Sequence, residues 1–173
     1  AKSIFDTQIT NARNLVQAGI TDPSQNHSFN TMIFGYVVAA MEKYLFTVFV
    51  QKIFNSQQFK NKFISQEIKK NFPLSDFATS PNFVDEKVLE ALHKISFHNV
   101  GTSKDLFKNI LNHNLMTDDQ SQYFINSVGI RHDCAHRGGY DIKGNQTNIT
   151  TQMIEELISN VCTVVENVET NIM

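Results

Sequence analysis

The sequence predicts an all-α protein, a single helical bundle with one protruding turn or short hairpin. Three observations carry this. Apolar residues recur at steps of three and four through most of the chain, the signature of amphipathic helices. Seven glycines and three prolines in 173 residues are too few for a turn-rich β architecture. A hydrophobic share of 41% against 18% charged residues supports one buried core and excludes a disordered tail or a highly charged coiled coil. At this length folding buries roughly two-thirds of the unfolded chain's surface. One domain over 1–173 follows, with its core at about 31–172 and an N-terminal helix, 1–19, packed on it.

The elements follow in order. Phe5, Ile9, Ala12 and Val16 paint one stripe on the first helix. Asp22-Pro23 breaks the chain, and Ser28 or Asn30 is placed to cap a long second helix. Two adjacent stripes run along it: Ile33, Val37, Ala40, Tyr44 and Val48, and Phe34, Val38, Met41, Leu45 and Phe49. A helix apolar on most of its circumference sits centrally. Its pattern continues weakly through Phe59, Phe63 and Ile64 to about Lys70. Residues 71–82 carry two of the prolines and read as a loop, with Ser80-Pro81 as the start of the next helix. That helix presents Val84, Val88, Ala91, Leu92 and Ile95. Thr102 with Asp105 resembles a capping box before Leu106, Phe107, Ile110 and Leu111. Thr117 with Gln120 is a better one, opening a helix that runs to about His136 and stops at Gly138-Gly139. Asp141-Ile142-Lys143-Gly144 reads as a turn between short extended pieces. From Thr150 or Thr151, Ile154, Leu157, Ile158, Val161, Val165, Val168 and Ile172 form the final stripe.

The charge balance narrows function. A formal net charge of -2 gives no global positive field, so any phosphate recognition must be local. Cys134 and Cys162 form no CxxC pair. This argues against a disulfide framework or thiolate zinc cage and fits a reducing, cytoplasmic setting. The N-terminus lacks the apolar run of a signal peptide. Residues 32–50 are the most apolar stretch, but Glu42 and Lys43 sit at its middle. Two charges there are costly in lipid, so the segment reads as a buried helix and no membrane is expected.

The densest chemical signal is Ile130-Arg131-His132-Asp133-Cys134-Ala135-His136-Arg137-Gly138-Gly139. On a helix His132 and His136 are separated by about 40° and share a face, with Arg131 about 100° from His132. Cationic side chains at a helix C-terminus offset the macrodipole, and that alone accounts for some of the cluster. It does not call for paired imidazoles. Asp133 points away from the histidine face, toward solvent or Arg137. Cys134 reads as packed rather than reactive. His27, His93, His98 and His113 have no ligand spacing and read as surface or satisfied histidines. Glu42 lies among Val38, Ala39, Leu45 and Phe46. A carboxylate so placed needs a cationic partner, for which Arg131 and His136 are the candidates. A buried ion pair serving only the fold is the competing reading.

The segment Arg131-His132-Asp133-Cys134-Ala135-His136 resembles the R-x4-6-H motif of the HEPN superfamily of small all-α domains, in which a polar residue follows the arginine. The Gly-rich turn after it, the Glu42-bearing segment Ala39–Leu45 and the apolar last helix resemble the prokaryotic RiboL-PSP and MAE_28990-like subgroups over about Thr31 to Ile172. The resemblance implies metal-independent RNA cleavage by a homodimer whose motifs face each other across a cleft. It also implies a toxin–antitoxin or anti-phage setting, with a nucleotidyltransferase-type antitoxin or a fused sensor domain as partner, and no cofactor or metal. In it Arg131 and His136 carry the chemistry and His132 orients substrate or joins proton transfer. Glu42 holds Arg131 in place. Arg137, Lys104, Lys108 and Lys143 are candidates to guide the phosphate backbone, each lysine alone also reading as a solvated surface charge, and Tyr140 is positioned to stack a base. The residues suit such chemistry: imidazole serves as acid or base near neutral pH, and a guanidinium stabilises charge on a phosphorane.

Two alternatives share these residues. A non-catalytic HEPN module would bind RNA or nucleotide, or only dimerise. A metal-dependent HD-type phosphohydrolase would use the His132-Asp133 dipeptide and the i,i+4 histidines, with His93, His98 or Asp141 completing its site. Those spacings match no defensible HD pattern.

Overall fold

In the computed structural model, which describes residues 1–172, eight helices follow one another. They are α1 (Lys2–Ala18), α2 (Asn26–Asn55), α3 (Gln57–Glu67), α4 (Leu74–Thr79), α5 (Phe83–Leu92), α6 (Val100–Leu111), α7 (Asp118–Arg137) and α8 (Thr151–Asn171). Helix α2 is the axis. Both apolar stripes are buried, together with Thr31 and Ile53, because α1, α3, α7 and α8 pack around it. By length and composition Pro23–Asn55 would be long and apolar enough to cross a membrane. Here most of those apolar side chains form the bundle's core. Phe5, Ile9 and Ala12 of α1 meet α2 on one side. On another side α8 presents Ile154, Leu157, Ile158, Val161, Val164, Val165 and Val168. Tyr44 donates a 2.6 Å hydrogen bond from its hydroxyl to Glu169 of α8.

Local chemistry places several boundaries differently from the sequence pattern. Helix α2 begins at Asn26, ahead of Ser28 and Asn30. The preceding 3-10 turn, Pro23–Gln25, is capped by the Asp22 carboxylate accepting from the Ser24 amide. The weak continuation after α2 is a separate helix: Ser56 turns extended and its hydroxyl accepts from the Phe59 amide to cap α3. Within 71–82 lies the short helix α4, whose Phe77 contacts Phe83 of α5. Ser80 ends α4, and Asn82 starts α5. The cap of α6 is Asn99, accepting from Thr102, rather than Thr102 with Asp105. Thr117 and Gln120 do form a reciprocal capping box on α7, and Thr150 caps α8.

The protruding element is smaller than two extended pieces. A single antiparallel bridge joins Tyr140 to Gln146. The Asp141 carboxylate closes the turn by accepting from the amides of Lys143 and Asn145. Ile142 at its tip is 83% exposed.

Candidate functional site

Helix α7 carries the motif and lies antiparallel to α2. Its end, Gly138-Gly139, meets His27 and Thr31 at the start of α2, whereas Arg131, earlier in α7, meets Glu42, later in α2. The Arg131 guanidinium stands 4.0 Å from Glu42 Oε2, with both side chains mostly covered. The other carboxylate oxygen, Oε1, is buried without a hydrogen-bond partner. Burial pushes the Glu42 carboxyl above its ordinary value, against the opposing charges of Arg131 and His98.

His132 and His136 come together as the helical spacing requires. Their ring centroids are 4.6 Å apart and both residues are exposed. They do not share a face with Arg131. Five residues at about 100° each place His136 roughly 140° around α7 from the arginine, so one chain offers an inner Arg131–Glu42 pair and an outer imidazole pair. The two pairs are linked through α7, where His132 directly follows Arg131. On antiparallel right-handed helices, a forward step on either chain turns to the same side of the seam. His132, one residue after Arg131, and Lys43, one residue after Glu42, therefore flank the same side.

The other predicted residues divide. Arg137 pairs with Asp133 one turn back. Tyr140 is 44% exposed and lies edge-on to His27, with ring centroids 5.8 Å apart. Lys143 is on the exposed turn after the motif. Lys104 is elsewhere: its ammonium is 2.9 Å from Asp118 at the opposite end of α7. At 1.5 Å per residue that point is about 20 Å along the helix from Arg131. Lys108 stands one turn further along the same α6. Lys104 is thus separated from the motif, because it pairs with the beginning of α7 and not its end. Cys134 is half-buried, and burial pushes its thiol up to about 11, which keeps it protonated and unreactive near neutral pH.

Two histidines read as surface or satisfied residues are hydrogen-bonded and belong to the site's surroundings. His27 donates from Nε2 to the Gly138 carbonyl at 3.2 Å, holding the end of α7 against α2. Gly139 makes this approach possible: a Cβ there would stand 2.5 Å from His27 Nε2 and 3.0 Å from Thr31 Oγ1. The second is His98, on the turn between α5 and α6. With Glu42, Lys43 and Ser96 it lines a hollow of about 340 Å³ beside α2. The Ser96 hydroxyl is 2.7 Å from its Nδ1. No local spacing links His27 or His98 to the motif; tertiary packing brings them there. The Gly138-Gly139 pair was the one available hint for His27, since a glycine beyond a helix stop invites close approach.

Among the described residues no three His, Cys, Asp or Glu side chains group as metal ligands. What is assembled is an all-α bundle with an Arg-x4-His motif at the end of one helix and a glutamate on the central helix facing its arginine. The chain belongs to the RiboL-PSP-HEPN family, whose model matches residues 4–173. Neither the curated proteins nor the solved structures contain a significant match.

Proposed function

We propose that this chain is a metal-independent endoribonuclease working as a homodimer in the cytoplasm, in a toxin–antitoxin or anti-phage system. The observation that carries the reading is the exposed His132–His136 pair on the same helix end as an arginine that faces a half-buried glutamate. In the reaction one imidazole takes the proton of an RNA 2′-OH. The 2′-oxygen bonds to the adjacent phosphorus, the bond from phosphorus to the 5′-oxygen breaks, and a second imidazole gives that oxygen its proton. Arg131 stabilises the additional charge on the phosphorane. Glu42 is a positioning residue acting through Arg131.

A second copy supplies a facing set of groups. The outer face of α7 supports this: Ile125 is 51% exposed, and Gly129 is exposed with nothing within 4 Å of where a Cβ would stand. Met32 on α2, 72% exposed, adds apolar surface. A nucleotidyltransferase-type antitoxin or fused sensor domain is the proposed regulator.

The test incubates structured and unstructured RNA with wild type, Arg131→Ala and His136→Ala in EDTA, with mass measured by light scattering. Wild type should cleave as a dimer, and each substitution should lower the rate by about 10²–10⁴-fold. Cleavage that survives both substitutions overturns the assignment. Dimeric wild type that binds RNA without cutting it supports the non-catalytic HEPN module instead.

A further inference from the structure

The hollow beside Glu42 has a composition of its own. Ala39 and Phe46 of α2 give it an apolar wall, and Lys43, Ser96 and His98 give it a polar rim. Phe46 is fixed by edge-on contacts with His93 and Phe97, each at 5.8 Å between centroids. Glu42 belongs both to this hollow and to the ion pair with Arg131. A ligand seated there touches Glu42, and the guanidinium assigned to the scissile phosphate stands 4.0 Å from that carboxylate. The wall suits a flat ring, the hydroxyl and imidazole suit sugar or base-edge donors and acceptors, and the Lys43 ammonium suits a phosphate oxygen. These are the parts of a ribonucleotide.

We propose that the hollow between α2 and the α5–α6 turn is a subsite for one unstacked nucleoside of the RNA strand, adjoining the phosphate held at Arg131. The proposal rests on the ribonuclease reading and specifies its substrate: a base must leave its stack to enter, so unpaired strands are bound and continuous duplex is not. His98 and Lys43 are binding residues of this subsite.

The experiment titrates the full chain with AMP and, separately, with ribose 5-phosphate, by calorimetry and amide chemical shifts. AMP should bind about ten-fold more tightly than the base-free compound, with shifts centred on residues 95–98 and on Ala39 to Phe46. Ala39→Leu, which fills the wall, should erase that advantage and leave ribose 5-phosphate binding unchanged. His98→Ala, at an exposed position, should reduce it without altering the fold by circular dichroism. Arg131→Ala should weaken both compounds alike. Equal binding of the two compounds, or an advantage untouched by both Ala39→Leu and His98→Ala, overturns the proposal. RNA cleavage without the AMP advantage would remove the subsite and leave the nuclease. The AMP advantage without cleavage would remove the nuclease and leave a nucleotide site.

Discussion

Gly139→Ala tests how the motif helix is anchored. Gly139 has φ +87°, a conformation that costs an L-residue about 1–2 kcal/mol. The new Cβ would also stand 2.5 Å from His27 Nε2, so the imidazole must move and its hydrogen bond to the Gly138 carbonyl is lost. That bond contributes about 1 kcal/mol. The substitution should thus cost about 2–3 kcal/mol in all, or roughly 5–10 °C in Tm for a chain of this size. Gly138→Ala is the control: its φ is +62° and a Cβ meets nothing within 4 Å, so only the backbone cost of about 1–2 kcal/mol remains. Urea unfolding of both variants, of His27→Ala, and of His27→Ala with Gly139→Ala gives a double-mutant cycle. Coupling of about 1 kcal/mol between positions 27 and 139 is expected. If Gly139→Ala costs no more than Gly138→Ala, or the coupling vanishes, His27 does not clamp the end of α7.

Other substitutions probe the site and the scaffold. Burial raises the Glu42 carboxyl above 4.5, so the folded state holds that proton more tightly than the unfolded chain. Its contribution is fully present below pH 4.5 and is lost as pH rises through the raised value. Glu42→Gln should flatten that part of the stability–pH curve, measured by denaturant midpoints; an unchanged slope would refute the assignment. Gly129→Ala, exposed within a helix, should stabilise an isolated chain by about 0.5–1 kcal/mol. In urea unfolding, a loss of stability instead would show that a packed neighbour occupies the space over Gly129. Tyr44→Phe removes the 2.6 Å hydrogen bond to Glu169 and should cost about 1–2 kcal/mol. A neutral result would mean that the α2–α8 contact is held by apolar packing alone.

The sequence by itself determined the helical architecture, the central place of α2, the capping box and stop of α7, and the pairing of His132 with His136. These depend on periodicity, caps and spacing within one helix, which are local properties of the chain. It also showed that Glu42 needed a cation, since a carboxylate among apolar neighbours has few alternatives. Tertiary structure chose Arg131 over His136 as that cation, because the choice depends on which face of α7 turns to α2. It separated Lys104 from the motif, because that lysine pairs with Asp118 at the far end of α7. It brought His27 and His98 to the site's edges from distant positions. Distances between residues far apart in sequence come from how helices pack, and side-chain periodicity carries no record of them.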